Sequence, residues 1–414
     1  MKNFYYLIVL LMGGTAAAQP AADALERRFL DQSRDSIVNT GYIHAGFDFH
    51  VNSNSVTNNF KNNFLYGGYI SNEQKDQVSK RLRNVNVAGL DVRTGITGKS
   101  LLKNRTAVVA GLFYVEHYDA KFTKDFFELV FRGNSRYAGQ TIDIAPLRVR
   151  SFTSQQLYLG FEKKSSEKLF VGGGVNIIRG GRFSSIELTR GKLHTEQYGT
   201  YVELDGNPDI QYTDRNQGRF SGNGYGASLT LYGTYRLEKS LISAELRDLG
   251  FISWRNLNSF KGDGVYRYEG QYVEDIFSID STVFEKFEPD SVANQLGIQN
   301  VRSNKSYLLP ATLHLNYQHF FNSELSMTVG IRQIFNASYR PRVYLRPEYY
   351  LSESLIIAAT FSYGGYGRGD FEISAAKKIS DFFIISANIF YFEQLILPRK
   401  SSGHGFGLNI VKTF

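Results

Sequence analysis

Apolar and polar residues alternate with a period of two along stretch after stretch of this 414-residue chain, and nothing else in the sequence constrains the fold as strongly. An extended chain places successive side chains on opposite faces, so such alternation marks a strand with one greasy and one polar side. From Gly41 onward Ile43, Ala45, Phe47, Phe49 and Val51 alternate with Tyr42, His44, Gly46, Asp48 and His50. Tyr225, Ala227, Leu229, Leu231, Gly233 and Tyr235 do the same against Gly224, Gly226, Ser228, Thr230, Tyr232 and Thr234. The test yields about fourteen strands. They run over 41–51, 86–97, 105–117, 152–163, 168–178, 223–237, 241–250, 307–321, 324–335, 342–352, 354–364, 369–379, 381–392 and 403–414. Strands of about ten residues match a tilted crossing of a hydrocarbon layer.

The connections sort by parity. Every second one is short, through Gly98 to Asn104, Lys164 to Glu167, Glu238 to Ser240, Asn322-Ser323, Ser352-Glu353 and Ser380. The first four of the other set run to about 34, 34, 44 and 56 residues, at 52–85, 118–151, 179–222 and 251–306, against the usual hairpin loop of 2 to 5. Shorter ones follow at 336–341, 365–368 and 393–402. A soluble sandwich has no reason to sort its loops this way. The expected fold is therefore all-β: a transmembrane up-and-down antiparallel β-barrel of about fourteen strands, with short periplasmic turns and long extracellular loops.

The ends of the chain agree. Lys2, the apolar run Phe4 to Met12 and the small residues Gly13 to Ala18 have the parts of a secretory leader, so residues 1–18 are expected to be a signal peptide. Residues 19–40, with Leu25, Phe29 and Leu30 among charges, form a periplasmic or lumen arm, and 41–414 the barrel. The final strand alternates Phe406, Leu408 and Ile410 with Gly407 and Asn409 and stops on Phe414. This ending resembles the closing strand of bacterial outer-membrane barrels, in which the terminal aromatic is the assembly signal read by the barrel-assembly machinery. Expected partners are thus that machinery during insertion and outer-membrane lipid, for a chain that is otherwise a monomer.

Composition removes several classes of function. The absence of Cys excludes disulfides and thiolate chemistry, and the formal charge of +8 is spread along the chain instead of clustered, so no nucleic-acid partner is expected. The 32 Phe and 27 Tyr suit strands, and many gather near strand ends where an interfacial girdle sits. Lys99, Lys103, Lys163, Lys164, Lys168 and Lys239 fall at the short turns, as solubilising turn residues or contacts to phospholipid headgroups.

The polar parity defines the lumen. It carries His44, Asp48, His50, Asp91, Arg93, Glu245, Arg247, Arg332, Arg346 and Glu348. Mixed signs imply a cross-linked, partly filled lumen in which opposite charges pair, not a strongly ion-selective pore. His44, Asp48 and His50 share a face and have the residue types of a metal site, but hydrogen-bonded lumen residues are the simpler reading. His314 and His319 are not followed by a hydroxyl nucleophile. No catalytic, cofactor or metal residue is assigned, and no enzyme is expected.

Three stretches carry a resemblance: FLYGGYISNEQKDQVSKRL at 64–82, FTKDFFELVFRGNSRYAGQTIDI at 122–144 and LRDLGFISWRNLNSFKGDGVYRYEG at 246–270. Together they resemble a family of Bacteroidota outer-membrane proteins classed as a domain of unknown function, from about Gly41 to Phe414. Its layout is in turn remotely similar to the long-chain fatty-acid transporter barrels, whose N-terminal hatch motif has no counterpart here. The resemblance supplies no functional residue. Asp35-Ser36-Ile37 and Asp290-Ser291-Val292 also look like a short O-glycosylation sequon used by that phylum. The functional expectation is a passive channel or uptake barrel for a small or amphipathic solute in the outer membrane of a Gram-negative bacterium. The alternative is a surface or assembly component, accessory to secretion or gliding machinery.

Overall fold

Consecutive strands of the chain pair side by side until the last meets the first. The structure, a computed structural model, describes residues 41–214, 216–269 and 300–414. The expected leader, the arm at 19–40 and both sequon-like triplets lie outside the described residues. Fourteen strands close an antiparallel barrel. Its first half is β1 (Tyr42–Ser53), β2 (Val85–Leu101), β3 (Thr106–Thr123), β5 (Leu147–Lys164), β6 (Leu169–Thr195), β8 (Gly224–Arg236) and β9 (Ser240–Lys261). Its second half is β12 (Thr312–Phe320), β13 (Leu325–Ile334), β14 (Arg340–Ser352), β15 (Leu355–Gly365), β16 (Gly369–Ser380), β17 (Phe383–Phe390) and β18 (His404–Thr413). Strands β18 and β1 form the seam, in register from Tyr42 opposite Thr413 to Val51 opposite His404. Beyond it the Phe414 backbone N–H donates to the Gly41 carbonyl at 3.0 Å.

The alternation in sequence becomes the two sides of the wall. Leu112, Phe161, Ile177, Val329 and Phe361 are among the exposed outward residues, an apolar exterior of the kind that faces lipid. Thr97, Asn176, Gln318 and Thr328 point inward and are buried.

Three of the four long connections are shorter than expected because their strands continue past the barrel rim, whereas the first, at 52–85, keeps its expected bounds and holds two helices. β6 is 27 residues long and β9 is 22, well beyond the ~10 that a membrane crossing needs. Their far ends pair with strands that are not part of the closed ring. β4 (Gln140–Asp143) and β7 (Val202–Tyr212) pair with the far end of β6, β10 (Gly264–Tyr268) with β7, and β11 (Asn300–Leu308) with β9. β4, β10 and β11 are short or largely polar, whereas β7 does alternate, with Val202, Leu204, Ile210 and Tyr212 on one parity against Glu203, Asp205, Asp209 and Gln211, although it lies in a connection expected to be a loop.

Three helices sit at the same end: α1 (Asn58–Tyr66), α2 (Asn72–Ser79) and α3 (Lys124–Arg132). The Thr57, Ser71 and Thr123 side chains each accept a backbone N–H of the first turn, and Ser71 forms a capping box with Gln74. Phe60, Val78 and Phe127 from these helices bury themselves with Phe122, Ile142, Leu147 and Leu188 of the strands and with Ile144 just after β4. Each such side chain contributes about 1.5–3 kcal/mol, enough for the cluster to hold the helices in place.

Candidate functional site

The barrel interior divides into three layers. At the short-turn end the lumen is filled by its own side chains. Lys99 Nζ lies 2.9 Å from Glu162 Oε2, and the Tyr232 hydroxyl donates to Glu162 Oε1 at 2.7 Å. Lys99 is thus neither a solubilising turn residue nor a headgroup contact: its side chain is buried inside, over the Tyr42 and Phe170 rings. Parity explains the correction, since Lys99 pairs with inward Tyr42. Opposite, Glu348 accepts from Gln318 Nε2 at 2.8 Å and Arg346 Nε at 3.0 Å. Tyr42, Ile356, Ala376, Ile384 and Val411 pack into an apolar cluster at this level.

The middle layer is a cavity of about 190 Å³. Eight of the ten lumen residues line it: His44, Asp48, His50, Asp91, Arg93, Arg247, Arg332 and Arg346. Glu245 and Glu348 are buried in the wall packing below, 1% and 0% exposed. Arg93 Nη1 donates to Asp248 Oδ2 at 2.9 Å, and Asp91 Oδ1 is 2.6 Å from His117 Nδ1. His44 Nε2 lies 3.3 Å from Asn409 Oδ1, and the His50 ring is 3.8 Å from that of Phe390. His44, Asp48 and His50 do not converge as ligands; among the described residues no group of three or more His, Asp or Glu is placed to hold a metal ion.

Alternation missed several lining residues. Asp248 follows Arg247, yet both face the cavity, because the pairing of β8 with β9 shifts between Leu229 and Leu231 and Asp248 takes a positive φ of 59°. Such a bulge puts two consecutive side chains on one face. His117 was legible by its inward parity in the strand over 105–117, and Arg342 as sharing the parity of Arg346 and Glu348; that His117 sits opposite Asp91 is a matter of register.

The upper layer crosses the mouth. The turn after β13 reaches the far wall, where the Ser338 backbone N–H donates to Asp119 Oδ2 at 2.5 Å and Arg148 Nη2 donates to Ser338 Oγ at 2.9 Å. Tyr339 meets Tyr366 edge to face at 5.1 Å. Tyr366, from the β15–β16 hairpin, is 5% exposed and lies against Gly89 of β2, where a Cβ would come within 2.1 Å of the ring. Arg368 of that hairpin donates to the Arg81 carbonyl at 2.7 Å, and Asn58 in α1 to Gly403 at 2.7 Å. Turn, hairpin and helical segment are therefore tied together over the cavity.

Solved structures similar to the chain include transporter and channel barrels. They include the toluene transporter TodX of Pseudomonas putida, 11% identical, covering 97% of this chain and 95% of that one with a TM-score of 0.45. The Ralstonia pickettii toluene transporter TbuX is 11% identical over 90% and 89%, at 0.42. A Pseudomonas aeruginosa FadL homologue is 10% identical over 91% and 89%, also at 0.42. Likeness at this level says nothing about a solute. No curated protein matches the chain. Residues 38–382 match the Family of unknown function (DUF5723), so most of the barrel is shared with that family and the chain belongs to it.

Proposed function

We infer that the chain is an outer-membrane uptake barrel that passes a small or amphipathic solute, and that it works as a gated passage instead of an open pore. One observation carries this reading: a charged cavity sits inside the ring, bridged above by Ser338 and Tyr366 and packed below by the Lys99–Glu162 and Arg346–Glu348 pairs. A barrel that served only as a scaffold has no need of a hollow lined by ionisable side chains, which are costly to bury. In this reading β1 and β18 end on the periplasmic side, Phe414 guides insertion by the barrel-assembly machinery, and the monomer works without chemistry of its own.

Planar-bilayer recording and solute uptake into proteoliposomes test it with the purified full chain. Brief, infrequent openings together with saturable flux of a small solute are expected. A barrel that never opens and moves no solute would refute the reading.

A second reading, a surface or assembly component accessory to secretion or gliding machinery, draws on the strand-built extension of β6, β7, β9, β10 and β11 at the long-loop end. Recovery of a stoichiometric surface partner by a barrel without flux would favour it.

A further inference from the structure

Most charges in the lumen are matched at close range, and against that background β13 and β14 stand out. Arg332 and Arg342 are direct cross-strand partners and both line the cavity. Like charges placed opposite each other in a sheet repel, and inside a wall that excludes bulk water the repulsion is poorly screened. Their surroundings offset it only in part. Arg342 Nη2 comes only to 3.6 Å of Glu372 Oε2, and Glu372 already accepts from Ser374 Oγ at 3.2 Å. Arg332 has no carboxylate within 4.0 Å among the described residues. Its guanidinium lies 5.7 Å from the Tyr339 ring, while the Asp91 carboxylate is engaged by His117.

The Nε atoms of Arg332 and Arg342 are both buried without a hydrogen-bond partner. Arg247, on the same cavity, repeats the pattern, with its nearest carboxylates at 3.9 and 4.0 Å. Arg93 and Arg346 also keep one buried nitrogen without a hydrogen-bond partner, but they differ in having carboxylates at 2.9 and 3.0 Å.

We propose that the cavity is a binding site for a small oxyanion, a carboxylate or phosphate group held between the Arg332 and Arg342 guanidiniums. A guanidinium presents its N–H groups in a planar fork that matches two oxygens of such a group. An anion between the two forks adds two attractions that outweigh the one repulsion and gives the buried donors acceptors. The volume bounds the ligand: about 190 Å³ falls below the roughly 300–1,000 Å³ of pockets for drug-sized molecules, so the site suits one compact group and not a long chain. Leu309, Ile334 and Phe390 on the same cavity accommodate a short apolar body behind the charge. The inference deepens the uptake reading by naming its solute class, and rests on it only for passage, since a closed barrel binds the anion equally well.

The test is thermal unfolding of the full chain in detergent, with inorganic phosphate or propionate titrated against chloride at constant ionic strength and propionamide as the neutral control. Phosphate, propionate or both raise the melting temperature saturably, and which one acts identifies the group. Arg332→Gln and Arg342→Gln each raise the half-saturating concentration at least tenfold, and without anion each melts at or above the wild type because the repulsion is gone. Arg105→Gln, in the exposed β2–β3 turn, leaves the response intact. An identical response to chloride, or an unaltered titration in Arg332→Gln, overturns the proposal. If the Gln variants do not fold, Arg332→Lys is read the same way: it keeps the charge and loses the fork, so weakened binding supports the site and unchanged binding refutes it. Binding without flux would leave the site standing and remove the uptake reading; flux without binding would do the reverse.

Discussion

Ser338 and Asp119 are joined by a backbone N–H to carboxylate hydrogen bond of 2.5 Å that spans the mouth of the barrel. Strands β5, β6, β8, β9 and β12 lie between the strands that carry them. Asp119 also accepts from Arg148 Nε and Nη2 at 3.1 and 2.9 Å, so one carboxylate anchors the strap and orients the arginine that supports it.

Asp119→Ala removes charge-assisted bonds of about 1.5–3 kcal/mol each and frees the strap at one end. More frequent and longer openings in planar bilayers are expected, with unchanged gel mobility of the folded barrel. Wild-type opening statistics in the variant would show that the strap does not close the mouth.

Gly89→Ala places a methyl group inside the Tyr366 ring, with Cβ within 2.1 Å of it. The ring must leave, at a cost of about 1–3 kcal/mol. The single variant should therefore melt below the wild type, and adding Tyr366→Ala should restore most of the loss. No recovery in the double variant would place the damage in the β2 backbone.

Lys99 and Glu162 form a buried pair at the opposite end. Breaking it from one side, by Glu162→Gln or Lys99→Met, leaves an uncompensated charge or an unmet donor and is expected to cost about 3–5 kcal/mol. Replacing both by Met removes both charges and leaves only the Tyr232 hydroxyl without its acceptor, so it should cost about 1–3 kcal/mol, less than either single change. Thermal unfolding in detergent read by circular dichroism gives the comparison, and an additive double variant would mean that the two residues act independently.

Lys61, in α1 above the mouth, donates to the Ser402 carbonyl at 2.5 Å. Burial, helped by the Arg81 charge, lowers its ammonium from 10.5 to about 7. Between those values the undocked segment binds a proton that the docked one does not. Docking of residues 54–84 therefore strengthens as pH rises from about 7 toward 10, with the opening constant falling by up to about tenfold per pH unit. Below 7 the full penalty is present and no further change is expected from this group. Hydrogen exchange of α1 at pH 6, 7.5 and 9, corrected for intrinsic rate, measures it, and Lys61→Met should flatten the profile. A profile equally steep in that variant would assign the effect to another group.

The sequence by itself determined the closed wall. Alternation such as Ile43 against His44 requires a surface that is apolar outside and polar inside, and a period of two leaves no freedom about which residues face in, as long as pairing is regular. The parity of the connections then fixed the strand count, and Phe414 its closing edge. Individual lumen residues such as Arg93 and Arg332 were legible for the same reason.

Tertiary structure decided what alternation does not encode. A bulge turned Asp248 inward beside Arg247, pairing with Glu162 on the next strand but one buried Lys99, and strands β7 and β11 formed beyond the closed ring, within stretches expected to be loops. Above all, Ser338 and Asp119 are 219 positions apart in the chain, and Arg332 and Arg342 become a like-charged pair only through the register of β13 on β14. Facing is a local property set by the backbone's two-residue repeat. Which inward side chains meet depends on register and on how the ring closes, and those are settled only when the whole barrel has formed.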